Sequence, residues 1–192
     1  NGWCSAYSQY STVNATPDQA RGSCWATGPN YNRWFKFQAP SSNIAVQIRT
    51  TGVEGSLVRP YVALWNVALG EISCKSYYSD NGDIEIASTG LTPGQWYFIS
   101  VDNFNNIAYR GTFTLCITSA HPNDNMANAI QITDLNGWCS EAAQYSNIIA
   151  TADQSQGSCW AGAVNKKVWF RFRATSANVT INVRTGSTDG EM

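Results

Sequence analysis

Two carboxylates, Asp83 and Glu85, stand two residues apart in the run Asp83–Ser88. Alternate side chains of an extended chain share a face, so both acids project the same way. Paired carboxylates about 5–5.5 Å apart are what a retaining glycosidase requires. A solvated outer face is the reading adopted, because Ile84 and Ile86 then point to the core. Two oxygen-rich sets carry the ligand type that calcium takes: Asp80, Asn81 and Asp83, and then Asn123, Asp124 and Asn125. Neither follows a calcium-loop pattern. Asp80, Asp83 and Asp124 stand as metal candidates, and no cofactor beyond calcium is expected. The one histidine, His121, has no nucleophile beside it, and neither G-x-S-x-G nor H-E-x-x-H occurs. No catalytic residue is expected.

Tryptophan is the other residue type that could bind a ligand. Trp3 precedes Cys4 and Trp25 follows Cys24, while Trp138 and Trp160 flank Cys139 and Cys159 in the same way. Two indoles over a disulfide would pin the ends of a module, whereas exposed indoles would stack on sugar rings. Trp34 and Lys36, and likewise Trp169 and Arg171, alternate with Phe35 and Phe37 or with Phe170 and Phe172. If the phenylalanines are core, Trp34 lies outside beside a cation, as a cation–π pair or a sugar or protein contact. The inverted register would bury Trp34 instead. Trp3, Trp25, Trp34, Trp138, Trp160 and Trp169 are therefore the candidate stacking residues.

These residues recur because the chain repeats. Asn1–Cys4 reappears at Asn136–Cys139, and the match runs ungapped at an offset of 135, with 27 identities in 57 aligned positions. The chain thus samples one period and part of the next. The expected modules are 1–120, lacking its opening segment, and 121–192, with the boundary in the polar stretch Ser119–Asn125. Four cysteines fall in one period: Cys4, Cys24, Cys74 and Cys116. An even count in an exported-looking chain favours disulfides over zinc, since neither CxxC spacing nor histidine partners are present. The retained spacing of 20 predicts Cys4–Cys24 and Cys139–Cys159, leaving Cys74–Cys116.

The elements that position these residues are strands. Ile44, Val46 and Ile48 alternate with Ala45, Gln47 and Arg49, and Val179, Ile181 and Val183 repeat that pattern. Phe113, Leu115 and Ile117 share a face, as do Tyr97, Ile99 and Val101, and Val62 and Leu64. Asn81-Gly82 predicts a hairpin between Ser73–Asp80 and Asp83–Ser88, and Pro93-Gly94 a type II turn. The single helical candidate is Asn125–Ala129. About eight short strands predict an all-β fold: antiparallel, jelly-roll-like β-sandwich modules in tandem.

Composition narrows the function. With 12 Lys+Arg against 13 Asp+Glu the net charge is −1, and charged residues are 13%, about half the usual share. No basic patch invites nucleic acid, and no apolar run of about 18 residues crosses a membrane. Low charge with many Trp, Tyr, Asn, Ser and Thr fits an extracellular or cell-surface chain, read as a piece of a longer exported protein.

The residues also carry a resemblance. Asn123–Ile132, Val168–Phe172, Val179–Thr185, Tyr61–Asn66, Leu91–Asn103 and Gly111–Ile117 together look like the pre-peptidase C-terminal (PPC) type of β-sandwich. The similarity is greatest to the Cys-containing versions repeated in large secreted and surface proteins of Bacteroidota, which the type IX route exports. The resemblance implies a non-catalytic accessory domain of exported proteases, glycosidases or adhesins. It carries no binding residue over to this chain. The leading expectation is a spacer, adhesive or filament-forming unit, whose partners are neighbouring repeats and other copies. The alternative is a carbohydrate-binding accessory module of a secreted hydrolase, with surface glycans as partners.

Overall fold

The computed structural model describes residues 2–77, 82–142, 144–147, 149–162 and 166–184. The chain divides into two compact units, Asn1–Ser119 and Ala120–Met192.

The first unit is an antiparallel β-sandwich. One sheet orders β1 (Gly2–Cys4), β9 (Thr112–Ser119), β4 (Ile44–Arg49) and β7 (Ile84–Ser88), and β2 (Tyr10–Ser11) also pairs with β9. The other orders β3 (Arg33–Gln38), β8 (Trp96–Asn103), β5 (Pro60–Trp65) and β6 (Glu71–Ser76). The alternation in the sequence sets which side chains meet between them. Ile44, Val46 and Ile48 of β4, and Phe113, Leu115 and Ile117 of β9, face Val62 and Leu64 of β5 and Tyr97, Ile99 and Val101 of β8 in one core. Phe35 and Phe37 pack against that core, half-buried, so the register of β3 is the one with both phenylalanines inward. Pro93-Gly94 forms its turn as expected: the Gln95 amide donates to the Thr92 carbonyl at 3.1 Å, and Gly94 supplies a φ of 79°.

One expected strand pairing, that of Ser73–Asp80 with Asp83–Ser88, does not occur among the described residues. Among the described residues β6 pairs with β5 in one sheet, while β7 pairs with β4 in the other. β6 and β7 therefore lie in different sheets. Asp80 and Asn81 lie outside the described residues.

In the second unit β10 (Ile130–Ile132) lies parallel to β11 (Phe170–Phe172), the counterpart of Phe35–Phe37. The helical candidate at Asn125–Ala129 is a single 3-10 turn, Met126–Asn128. Val179–Val183, expected as a strand, has no ladder partner among the described residues, and its apolar side chains are exposed. In the first unit the matching strand β4 is held between β7 and β9.

Candidate functional site

Both disulfides of the first unit differ from the expected pairs. Cys4 is bonded to Cys116, and Cys24 to Cys74. Cys4 sits on β1 directly opposite Cys116 on β9 in the ladder register. Cys24 lies in the long connection between β2 and β3, which folds over β6 and brings it to Cys74. Contacts made by the folded chain, a strand ladder for one bond and a covering connection for the other, set the pairing rather than nearness in sequence. Cys139 and Cys159 are free and exposed rather than joined to each other.

The β2–β3 connection covers the outer face of the β3-β8-β5-β6 sheet and makes a second apolar cluster there. Trp25, Tyr61, Ala63 and Trp65 are its buried members, with Trp34, Phe98, Phe104 and the Cys24–Cys74 sulfurs packed against them. Trp25 is only 2% exposed. It stacks on Tyr61 at 5.5 Å, and its Nε1 donates to the Val62 carbonyl at 3.4 Å. Trp65 donates to Ser100 Oγ at 2.8 Å, and Trp34 lies 5.7 Å from Trp65. β5 is consequently buried on both faces along its whole length.

Two further anchors hold this covering segment. The Ser23 amide and hydroxyl both donate to Glu71, each at 2.6 Å. Asp102, fully buried, accepts amide hydrogens from Asn30 (2.7 Å), Tyr31 (2.8 Å) and Asn103 (2.8 Å). Burial pushes the Asp102 carboxyl up from its ordinary value, and the three amide donors pull against that rise.

The expected stacking residues thus separate. Trp25 is core, and Trp34 is packed beneath the cover rather than standing outside beside Lys36. Lys36 instead lies over Trp96, 4.3 Å from the ring centre. Trp96, 42% exposed, was not singled out in the sequence, although β3–β8 pairing puts it opposite Gln38. Trp3 is 51% exposed and does not share a disulfide with Trp25. In the second unit Trp138 leans on Phe170 at 6.4 Å. Trp160 and Trp169 flank the buried Lys167 ammonium, each 5.2 Å away, and Lys167 Nζ donates to the Ser155 carbonyl at 2.6 Å.

Trp3 borders a groove of about 520 Å³ between the edge of β3 and the edge formed by β1 and β2. Phe35, Phe37, Leu115 and Ile117 wall it, Tyr10 closes against Phe35 at 4.6 Å, and Lys36 and Gln38 add polar groups.

The acidic candidates are tied up as acceptors. Asp83 Oδ1 accepts from the Thr50 amide (2.8 Å) and the Thr51 hydroxyl (3.2 Å). Glu85 accepts from Gln47 on the facing strand. Asp124 accepts from the Thr151 amide (2.6 Å) and hydroxyl (2.9 Å). Among the described residues no group of three or more His, Cys, Asp or Glu side chains gathers where a metal ion could be held. His121 stands 5.9 Å from the Tyr145 ring, and its pKa is lowered, first by desolvation.

No protein-family model matches the chain, and no curated protein matches it. Solved structures do show a partial likeness. The CBM36-1 domain of a multidomain xylanase from the hindgut metagenome of Trinervitermes trinervoides aligns at a TM-score of 0.37 and 10% identity, over 63% of this chain and 98% of that one. A carbohydrate-binding module CBM36 in complex with calcium and xylotriose aligns at 0.28 and 9%, over 56% and 95%. A Podospora anserina GH26-CBM35 β-(1,4)-mannanase aligns at 0.29 and 16%, over 70% of this chain and 32% of its own.

Proposed function

We propose that the chain is a non-catalytic, extracellular β-sandwich module of a repeat-built protein, acting as a spacer that withstands tension. One observation carries this reading. The Cys4–Cys116 bond joins the first strand of the first unit to its last and closes a loop of 112 residues. A pull applied at Asn1 and Ser119 then runs through Cys4, the sulfur bridge and Cys116. The sandwich between those cysteines is bypassed and feels no load. Released, the enclosed segment would extend by about 40 nm at about 3.6 Å per residue. The 135-residue repeat supports tandem use, and the resemblance to PPC-type modules fits it. Stretching single molecules with and without reductant tests the reading.

A second reading, carbohydrate binding, is favoured by a different observation. The groove beside Trp3 combines aromatic walls with Lys36 and Gln38, which is the mixture a sugar ring requires. Binding to soluble xylo- or manno-oligosaccharides, lost in Trp3→Ala with the fold intact, would support it.

A further inference from the structure

The first unit is open along one side. β3 ends its sheet and, among the described residues, pairs only with β8. Across the gap, β1 and β2 end the other sheet. The groove lies between these edges, and Phe35, Phe37, Leu115 and Ile117, side chains that the strand alternation aims at the core, form its walls. A bare strand edge beside an apolar slot is a template for another strand.

The repeat indicates which strand. Phe170–Phe172 stands where Phe35–Phe37 stands, 135 residues on. In the second unit that edge is covered. Ile130, Gln131 and Ile132 lie parallel to it, opposite Phe170, Arg171 and Phe172. The two isoleucines are half-buried and Gln131 is exposed. The approach is fastened by the Trp169 amide, which donates to the Asn123 carbonyl at 2.8 Å, and by the Ile130 amide, which donates to the Trp169 carbonyl at 3.1 Å. Four residues, Thr133–Asn136, then lead from Ile132 to Gly137, the counterpart of Gly2. Gly2 itself lines the groove of the first unit.

We infer that this groove is the seat of the repeat's opening strand. The occupant is a segment of the Asn123–Leu135 type joined directly ahead of Asn1. It runs parallel to β3 and sets two branched apolar side chains between Phe35 and Phe37 on one wall and Leu115 and Ile117 on the other. The inference goes beyond the spacer reading. It rests on the same internal repeat, and its failure would leave the disulfide force path as it is.

The test is to fuse a second copy of the thirteen residues Asn123–Leu135 to Asn1 of the full 192-residue chain. Amide hydrogen exchange is then compared with that of the unextended chain. Alternate amides of Arg33–Gln38 should exchange about tenfold more slowly or better in the extended chain, and Trp3 fluorescence should shift. An extension whose isoleucines carry the changes Ile130→Asp and Ile132→Asp should give neither effect, while the fold, checked by near-ultraviolet circular dichroism, is kept. Unchanged exchange at Arg33–Gln38 would overturn the inference, as would equal protection by the aspartate extension. Two further results would reassign the groove and likewise overturn it. One is a dimer of the unextended chain protected at Arg33–Gln38, which gives the groove to a second copy. The other is protection of those amides by xylotriose, which gives it to a glycan.

Discussion

Cys4 and Cys116 face each other across the β1–β9 ladder, so the first and last strands of the first unit are one covalent piece. Cys24 and Cys74 do a different job: they hold the β2–β3 connection down over the outer face of the other sheet. One bond closes the unit end to end, and the other keeps an aromatic layer covered.

Peptide mapping of the chain without reductant should recover Cys4–Cys116 and Cys24–Cys74 as the linked pairs, with two thiols, Cys139 and Cys159, reacting in the native state. Replacing both cysteines of either pair by serine should lower unfolding free energy by about 4–5 kcal/mol in the chain-entropy picture, with the 112-residue loop costing slightly more than the 50-residue one. Recovery of a Cys4–Cys24 peptide would contradict the fold.

The tryptophans should divide by burial. Trp25→Ala should cost about 3–5 kcal/mol, because a fully packed indole stacked on Tyr61 leaves a cavity. Trp3→Ala should leave the urea midpoint nearly unchanged, since half of that side chain already meets solvent. Gly22→Ala should also destabilise. A Cβ there would come within 2.7 Å of Trp25 Nε1, on a ring that the cluster holds in place. Equal midpoints for Trp25→Ala and Trp3→Ala would remove the covered-cluster account.

Asp102 should leave a mark on the pH dependence. Its folded pKa is raised, chiefly by burial. The folded state therefore holds the proton more tightly than the unfolded one. That contribution is complete below the unfolded value near 4 and is lost as pH rises through the folded one. The stability of the parent relative to Asp102→Asn should fall as pH rises across that window, measured by urea unfolding at successive pH values. At every pH the asparagine variant should still be less stable, by about 1–3 kcal/mol. Its amide nitrogen would meet one of the three backbone donors with a donor of its own. A difference that grows with pH would reverse the sign and refute the assignment.

Asp83→Ala should lower stability by about 1–2 kcal/mol, because it strands the Thr50 amide and frees the Thr51 hydroxyl. Under the non-catalytic reading, Asp83→Ala and Glu85→Gln change no hydrolytic rate on polysaccharide or peptide substrates. A rate that disappears with either substitution would restore the pair as a catalytic one.

The layers of the sandwich were legible wherever apolar and polar side chains alternate along a strand. Ile44, Val46 and Ile48, or Phe113, Leu115 and Ile117, announce their buried face by alternation, and the Pro93-Gly94 turn follows from the φ that glycine supplies. What sheet neighbours decide was not legible. Cysteines twenty residues apart looked like a pair, yet each bonds to a strand distant in sequence. Asn81-Gly82 carries a local hairpin signal, but β6 and β7 find better partners in opposite sheets. The second aromatic layer did leave a trace: Pro60–Trp65 is apolar without alternation, as a strand buried on both faces must be. Tyr61 and Trp65 were the residues from which to find the cover over Trp25.

The most direct test of the tension-bearing role is single-molecule stretching of the first unit within the full chain, with handles at Asn1 and Ala120. Under oxidising conditions the unit should show no unfolding step, because Cys4–Cys116 encloses 112 residues. After reduction, or in a Cys4→Ser/Cys116→Ser variant, one step of about 40 nm should appear. A step of that size in the oxidised chain would show that load passes through the sandwich, contradicting the proposed role.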